Sequence, residues 1–348
     1  MYIYLDVVKQ FSCAMCGACC RRDWLVTVDE ASYRRNAEWF SERERYDEFQ
    51  KAFVRIEDRR GPGEYAYIAK GRDGGCWFLE KTNICRLHRE AGHAQLDGVC
   101  QTFPRYPMDT ARGLELTLSF SCPAVLALVS RTSPLAVLRS AEPPLSLGPG
   151  NAVAAVFPGQ QQAGSPLRYY FELEHHFIDL VQHRGLPLGD RLGLLRETVR
   201  AIASLTGPAE PGQGLNTIIR TNYERLDAFA VPQQEAHVTA EILAEHFMVN
   251  LIFKKLFYLY GLQRTADFLE EIWRKLRTAA TKPGGLEQVK ALIMEMELCY
   301  NHDRKALLAK PAKPWTARPP RSAQGQGNQP GQHGGGSRQP GSGVFLGQ

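Results

Sequence analysis

The residues best suited to chemistry are cysteines concentrated in the first third of the chain. Four of them occupy eight residues, in a Cys-x2-Cys-x2-Cys-Cys run that begins at Cys13. Four more follow at wider spacing before residue 123. The full set is Cys13, Cys16, Cys19, Cys20, Cys76, Cys85, Cys100 and Cys122. We predict that these eight thiols bind metal, and we assign no catalytic or cofactor-binding residue.

Thiolates are soft ligands that suit Zn²⁺ and iron–sulfur clusters. A Cys-x2-Cys turn lets two sulfurs converge on one centre. Adjacent side chains usually diverge, so we expect Cys19 and Cys20 to serve different centres, or one of them to support a ligand or to react. Gly17 supplies the freedom for backbone amides to turn toward sulfur.

The later cysteines are spaced to come from separate turns. We expect a hairpin with a four-residue loop to hold Cys76 and Cys85 near its base, on the same side. His88 and His93 could replace a sulfur, although such histidines are more often surface or capping residues. Buried apolar thiols or disulfides are the plain alternative for the whole set. The ninth cysteine, Cys299, is expected to be a core residue.

The spacing leaves zinc and iron–sulfur both open. Zinc ribbons have two Cys-x2-Cys knuckles, and this chain has one. Ferredoxin-type spacing fits at Cys13, Cys16 and Cys19 but needs a fourth cysteine at position 23, where Asp23 stands. The Cys-x3-Cys-x2-Cys spacing is absent as well, because Ser12 stands where its first cysteine would be.

The charge balance excludes a basic nucleic-acid footprint. The net charge of +5 comes from Lys310–Gln348, which has five basic residues and no acid, and the rest carries 37 of each sign. Asp6 interrupts the only apolar run of the first ten residues, so we expect no signal peptide. No stretch approaches the ~20 apolar residues of a spanning helix. We therefore expect a cytoplasmic protein without membrane contact, where clustered cysteines are more often metal ligands than disulfides.

Periodicity predicts an α+β fold that positions these residues. A small cysteine-rich metal-binding domain with short strands is expected over 1–139, a linker or long loop over 140–165, a mainly α-helical domain over 166–308 and a disordered Gly/Pro-rich tail over 309–348. Predicted strands lie within 1–10, 65–69 and 114–121. Predicted helices are 30–57 (one or two helices), 88–96, 124–138, 167–183, 188–205, 236–260, 265–278 and 285–308.

The cysteine segments resemble a known family. Phe11-Ser-Cys13-x2-Cys16-Gly-x-Cys19-Cys20, with Cys76-x-Phe-Leu, Ile-Cys85-x-Leu-His88 and Cys100-x-Thr-Phe-Pro-Arg-Tyr-Pro, is similar to the opening of the zinc- or iron-chelating cysteine-cluster proteins. Pro104-Arg-Tyr-Pro, Leu-Ser-Phe-Ser-Cys122-Pro and His246-Phe-Met-Val-Asn resemble the flagellin lysine-N-methylase branch. The resemblance covers residues 11–125 well and 235–260 weakly.

The resemblance implies a cysteine-bound iron–sulfur cluster, with the [4Fe–4S] form favoured and Zn²⁺ as the alternative. It also implies S-adenosylmethionine as donor and methyl transfer to lysine side chains of a protein such as flagellin. From the residues alone there is no glycine-rich donor loop. Candidates for lining a lysine slot are Trp24, Trp77, Arg105 and Tyr106.

Two other function classes compete with the methyltransferase. The first is a non-enzymatic zinc- or iron-binding cysteine-cluster protein. The second, a thiol oxidoreductase, ranks last because no βαβ context surrounds the Cys-x2-Cys turn. Polar residues of the helical half are expected to be surface or satisfied core groups and stay outside the predicted site; they are His175, His176, Asp179, Glu245 and His246.

Overall fold

Two β-sheets and a layer of helices make up the part of the chain that the computed structural model describes, which is residues 1–22, 24–57, 63–144, 153–205, 211–231 and 237–302. The fold is α+β, as predicted. The predicted tail, 309–348, and residues 145–152 of the predicted linker lie outside the described residues.

Eight short strands of the described ranges form the sheets. They are β1 (Tyr2–Leu5), β2 (Thr27–Val28), β3 (Phe53–Arg55), β4 (Ala66–Ile68), β5 (Arg105–Thr110), β6 (Gly113–Leu118), β7 (Val137–Ser140) and β8 (Ala154–Val156). The larger sheet has the order β7-β1-β6-β5-β8, and the smaller one has the order β2-β4-β3.

The first strand lies inside the larger sheet, between β7 and β6. β1 runs parallel to β6, with Tyr4 opposite Leu116, and antiparallel to β7. It is largely buried, which explains its apolar sequence. The β5–β6 hairpin turns at Gly113, whose φ is +119° and where a Cβ would lie 2.1 Å from the Met1 carbonyl oxygen. Only glycine fits this approach.

In the described residues, thirteen α-helices accompany the sheets. They are α1 (Val7–Gln10), α2 (Glu30–Ser41), α3 (Tyr46–Ala52), α4 (Arg86–Ala91), α5 (Gly98–Thr102), α6 (Pro123–Val129), α7 (Tyr170–Gln182), α8 (Leu188–Ala203), α9 (Gly212–Leu226), α10 (Ala240–Phe253), α11 (Leu256–Tyr260), α12 (Leu262–Ala280) and α13 (Gly285–His302).

Most predicted helices are found, and three differences have physical reasons. The predicted 124–138 helix ends at Val129, and the chain then supplies β7 to the edge of the larger sheet. The predicted 236–260 helix breaks at Lys255, whose φ of +68° is left-handed. Helix α9 was not predicted, because Pro211 and the glycines after it indicated a break.

Two hydrophobic cores hold these elements together. The larger core joins β1, β5 and β6 to the helices from α6 onward, with α10 buried on all sides. Asn250 of α10 donates to the Leu118 carbonyl at 3.1 Å, which ties that helix to the sheet. The smaller core is rich in phenylalanine and spans Val26–Leu96. The larger core therefore contains residues from both predicted domains, 1–139 and 166–308.

None of the helices in the described part of the chain combines the length and the apolar composition needed to span a bilayer.

Candidate metal centre

One cavity brings the cysteine segments together. Its volume is about 150 Å³, and it lies between the loop before β2, the stretch after β4, and helices α4, α5 and α6. All eight predicted cysteines line it: Cys13, Cys16, Cys19, Cys20, Cys76, Cys85, Cys100 and Cys122. Cys299 does not. Residues up to 109 positions apart in the chain therefore face one space.

The first cysteine run is an irregular loop with unusual backbone angles. Met15 has a φ of +45°, and its N–H donates to the Cys13 sulfur at 3.4 Å. Gly17 has a φ of +70°, and a Cβ there would lie 2.9 Å from Nη1 of Arg21 and 3.1 Å from Leu79. An amide donor to a cysteine sulfur is therefore present in this loop, and it comes from Met15 and not from the turn at Gly17.

The expectation that Cys19 and Cys20 diverge is wrong. Their sulfurs are 3.8 Å apart, because the tight turn after Gly17 brings both side chains to the cavity. Two thiolates bound to one tetrahedral ion at about 2.3 Å also stand about 3.8 Å apart. The pair therefore has the spacing of two ligands of a single ion.

The second set is joined to the first through the backbone. The Cys76 N–H donates to the Cys20 carbonyl at 2.7 Å. A turn lies at the predicted place, where the Asn83 N–H donates to the Glu80 carbonyl at 3.0 Å, but the bridge between Leu79 and Cys85 encloses five residues and not the predicted four. Cys76 is not at its base, since it pairs with Lys70 instead. The predicted placement of Cys76 and Cys85 on one hairpin base is therefore wrong, although both reach the cavity.

Burial and mutual repulsion oppose ionisation of most of these thiols. Burial raises the pKa of Cys76 to about 11 and raises those of Cys85, Cys100 and Cys122. Cys19 differs: a hydrogen bond from the Cys20 thiol lowers its pKa to about 7.

Neighbouring thiolate charges add to the rise in pKa. Cys76, Cys85 and Cys19 all act on Cys100 in this way. Cys16 and Cys19 act on Cys122. The charge on one thiolate therefore makes its neighbours across the cavity harder to ionise.

Few cations are available to offset thiolate charge. Among the described residues that line the cavity, Lys70 is the one permanent cation, and no aspartate or glutamate is present. Lys70 donates to the Arg22 carbonyl at 2.6 Å and lowers the pKa of Cys76 against its burial. His88 lines the cavity, and the His93 ring is in edge contact with the His88 ring, with 5.7 Å between the ring centroids.

Within the described ranges, no three histidine, cysteine, aspartate or glutamate side chains stand close enough together to hold a metal ion. The cysteine side chains and their shared cavity suit a thiolate-bound metal centre. The distances between the side chains of the described residues are not those of a coordination sphere. Ligation would require the loops to move inward.

The four residues predicted to line a binding slot for a substrate lysine do not all lie at the cavity. Trp24 lines it, in edge contact with Phe103 at 5.3 Å. Trp77 packs against the smaller core. The Arg105 guanidinium lies 5.4 Å from the Phe11 ring. Tyr106 packs against the larger core, 4.7 Å from Nζ of Lys254.

The polar residues of the helical half lie in other contacts. His175 and Asp179 pair at 3.1 Å on α7. Asn222 lies 2.9 Å from Nε2 of His176. Glu245 accepts from two arginines, and His246 bonds the Val129 carbonyl.

Sequence reasoning missed Asp97. Its side chain is 1% exposed, and neither carboxylate oxygen has a hydrogen-bond partner. Burial raises its pKa to about 7. The available signal was its position three residues before Cys100.

Comparison with family models, with curated proteins and with solved structures finds nothing that matches this chain.

Proposed function

We propose that this chain is a metal protein whose eight clustered cysteines hold an inorganic centre, favoured to be an iron–sulfur cluster. One observation carries the proposal: all eight thiols, drawn from separate segments, line one cavity. Buried apolar cysteines would be expected to scatter through the two cores. Here Cys122 is the one buried thiol of the eight, and Cys13 and Cys16 are exposed.

The electrostatics of the cavity favour a bound cation. Its thiols are hard to ionise together, since burial and neighbouring thiolates raise the pKa of Cys76, Cys85 and Cys100. Lys70 alone cannot offset several thiolates. A metal ion would supply the missing positive charge, and its binding would release protons from the thiols.

The volume of the cavity favours a cluster over a single ion. A space of 150 Å³ can hold a group as large as benzene. A lone zinc ion with ligands at about 2.3 Å needs less room. Either a polynuclear cluster or two separate ions would use it.

Backbone amides of the chain would donate hydrogen bonds to the sulfurs of such a centre. The Met15 amide donates to the Cys13 sulfur. The amides of Leu87 and His88 oppose the effect of burial at Cys85. These donors would stabilise thiolate and orient it. When bound, an iron–sulfur cluster supplies one-electron chemistry, and a zinc ion supplies structural cross-linking.

Anaerobic purification of the full chain tests the proposal. A cluster predicts a brown protein with acid-labile sulfide and iron in a fixed ratio. Cys76→Ser should lose metal, whereas the matched control Cys299→Ser should keep it. A colourless protein with stoichiometric zinc contradicts the iron–sulfur form. A protein that neither carries nor takes up metal contradicts the whole proposal.

Methyl transfer to protein lysines is a second candidate, carried by the family resemblance. The observation that favours it is access: Met15 and Val99 at the cavity are 55% and 49% exposed, and Trp24 lines the wall behind them. A substrate side chain could thus enter. The test is label transfer from S-adenosylmethionine to a lysine-rich protein such as flagellin. Transfer no greater than that of Cys16→Ala contradicts this activity.

A further inference from the structure

Cys19 and Cys20 are adjacent residues whose sulfur atoms lie in contact. The two sulfurs are 3.8 Å apart, and both side chains are half-buried at the wall of the cavity. Within the described ranges, no third histidine, cysteine, aspartate or glutamate side chain joins them in a group that could hold a metal ion. In this arrangement each of the two thiols has the other within reach.

Backbone hydrogen bonds hold the pair in one turn. The Arg21 N–H donates to the Gly17 carbonyl at 3.1 Å, and the Cys20 carbonyl accepts from the Cys76 N–H at 2.7 Å. Gly17 has a φ of +70°, a conformation that favours glycine. The turn therefore keeps the two sulfurs together, and a disulfide needs them to close from 3.8 Å to about 2.0 Å.

A disulfide between adjacent residues is strained. Consecutive Cα atoms stand about 3.8 Å apart across a trans peptide, which is below the usual range of about 4.4–6.8 Å for the two Cα atoms of a disulfide. Strained disulfides are easily reduced, and they belong to the labile, regulatory class. A bond between Cys19 and Cys20 would therefore be reversible and not a permanent cross-link.

The cavity gives a small oxidant access to the pair. Its volume is about 150 Å³, and Met15 on its wall is 55% exposed. Cys13 and Cys16, which share that wall, are exposed as well. Hydrogen peroxide has two heavy atoms, so it can enter this space and reach the two sulfurs.

We propose that Cys19 and Cys20 are a site of reversible oxidation by hydrogen peroxide, at which they form a disulfide with each other. One thiolate attacks a peroxide oxygen and breaks the O–O bond, which gives a sulfenic acid and hydroxide. The second thiolate attacks that sulfur, so the S–S bond forms and the second oxygen leaves as hydroxide. The two hydroxides take up the two thiol protons as water, and two electrons pass from the sulfurs to the peroxide.

Oxidation would also remove two ligands from the metal centre, and this part of the inference rests on the proposed metal-binding function. A disulfide sulfur is not a thiolate, so the oxidised chain would keep six of the eight cavity thiols. We expect the oxidised chain to lose metal uptake, and to regain it when the disulfide is reduced.

Peroxide treatment of the reduced, metal-free full chain tests the oxidation site. One equivalent of hydrogen peroxide is added, and free thiols are then alkylated with iodoacetamide. The tryptic peptide Gln10–Arg21 holds Cys13, Cys16, Cys19 and Cys20, and mass spectrometry counts its alkyl groups. We expect two alkyl groups instead of the four of the untreated chain, and fragment masses should place them on Cys13 and Cys16.

Matched variants identify the two sulfurs. Cys20→Ser should lose the disulfide, whereas Cys13→Ser should still form it. A disulfide between Cys13 and Cys16, or four alkyl groups on the treated wild-type peptide, overturns the proposal. The wild-type peptide alone decides this point if a variant does not fold.

Metal titration separates the oxidation site from the proposed function. The reduced, oxidised and re-reduced chains are titrated with Zn²⁺ and, separately, with Fe²⁺. Equal uptake by the oxidised and reduced chains overturns the effect on the metal centre. If the reduced chain takes up neither metal, the metal-binding function falls while the oxidation site stands. If it takes up metal but forms no disulfide between Cys19 and Cys20, the oxidation site falls while the function stands.

Discussion

The helical core and the cysteine cavity both hold polar groups away from water, but they balance charge differently. In the helical core, Lys255 bonds Glu115 at 2.7 Å and Glu174 at 2.5 Å, and Arg112 also pairs with Glu174 at 2.7 Å. Two cations thus face two anions. Lys254 pairs with Glu297 in the same region.

The cavity has no such balance. Several thiols and the nearby Asp97 have little more than Lys70 to face among the described lining residues. The comparison shows that one region balances its buried charges with its own residues, whereas the thiols of the other would gain a counter-charge from the proposed metal centre. Three measurements can break or sharpen this contrast.

Metal removal should have the largest effect, and it should be confined to one region. Structural zinc contributes about 10–16 kcal/mol of apparent binding free energy in small peptides, and folding of a thiolate site is coupled to it. Chelation should therefore increase amide hydrogen exchange over residues 13–100 and leave α10 and β6 protected. Mass spectrometry of exchanged peptides measures this. Equal loss in both regions, or no loss in either, contradicts the contrast.

Removing one residue from a balanced group of buried ions should lower the free energy of unfolding by less than metal removal does, but still substantially. Glu245 accepts from Arg184 at 2.9 Å and from Arg191 at 2.8 Å, and all three side chains are almost fully buried. Glu245→Ala leaves two buried cations with too little negative charge. We expect a loss of about 3–5 kcal/mol in the free energy of unfolding, measured with urea.

The control for Glu245 is a more exposed pair. Glu270 pairs with Arg196 at 2.7 Å, with about a third of each side chain exposed. Glu270→Ala should cost less than about 1 kcal/mol. Similar losses for the two variants would show that the helical core does not depend on its charge balance.

The smallest effect is a pH dependence from His176. Burial lowers its pKa to about 4, below the value of about 6.5 in an unfolded chain. The unfolded chain therefore binds more protons between these values, so stability present above pH 6.5 is lost as the pH falls toward 4. Between pH 7.5 and 5 the loss should be about 2 kcal/mol.

Urea unfolding at the two pH values measures the His176 contribution. His176→Gln should reduce the pH dependence by that amount, while His175→Gln, on the exposed side of the same helix, should leave it unchanged. If the two variants behave alike, the buried histidine is not the source.

The sequence allowed the main features of the cysteine region to be predicted, because thiol type and spacing carry most of the information. That eight cysteines would meet follows from their number and their separation into turns. The closeness of Cys19 and Cys20 could not be predicted, since it depends on the loop angles around Met15 and Gly17. Asp97 was missed because an aspartate before a short helix normally indicates a cap.

In the helical half, the helices could be predicted from the sequence, but the contacts between distant residues could not. Periodicity predicted most of its helices, since their buried faces repeat at helical spacing. It failed at Lys255, where the left-handed backbone lets the lysine reach Glu115 and Glu174, residues 140 and 81 positions away. Contacts over such distances leave no local signal. Helix α9 was missed because Gly212 and Gly214 read as a loop.

The pairing of β1 with β6 has a consequence for biosynthesis. Its partner β6 is translated more than a hundred residues later, an interval of about 6–20 s at ordinary elongation rates. The nascent segment with Cys13 and Cys16 must wait through that interval without the sheet that will anchor it. Cys122 leaves the ribosome last of the eight, so the proposed metal centre could be completed only after its emergence.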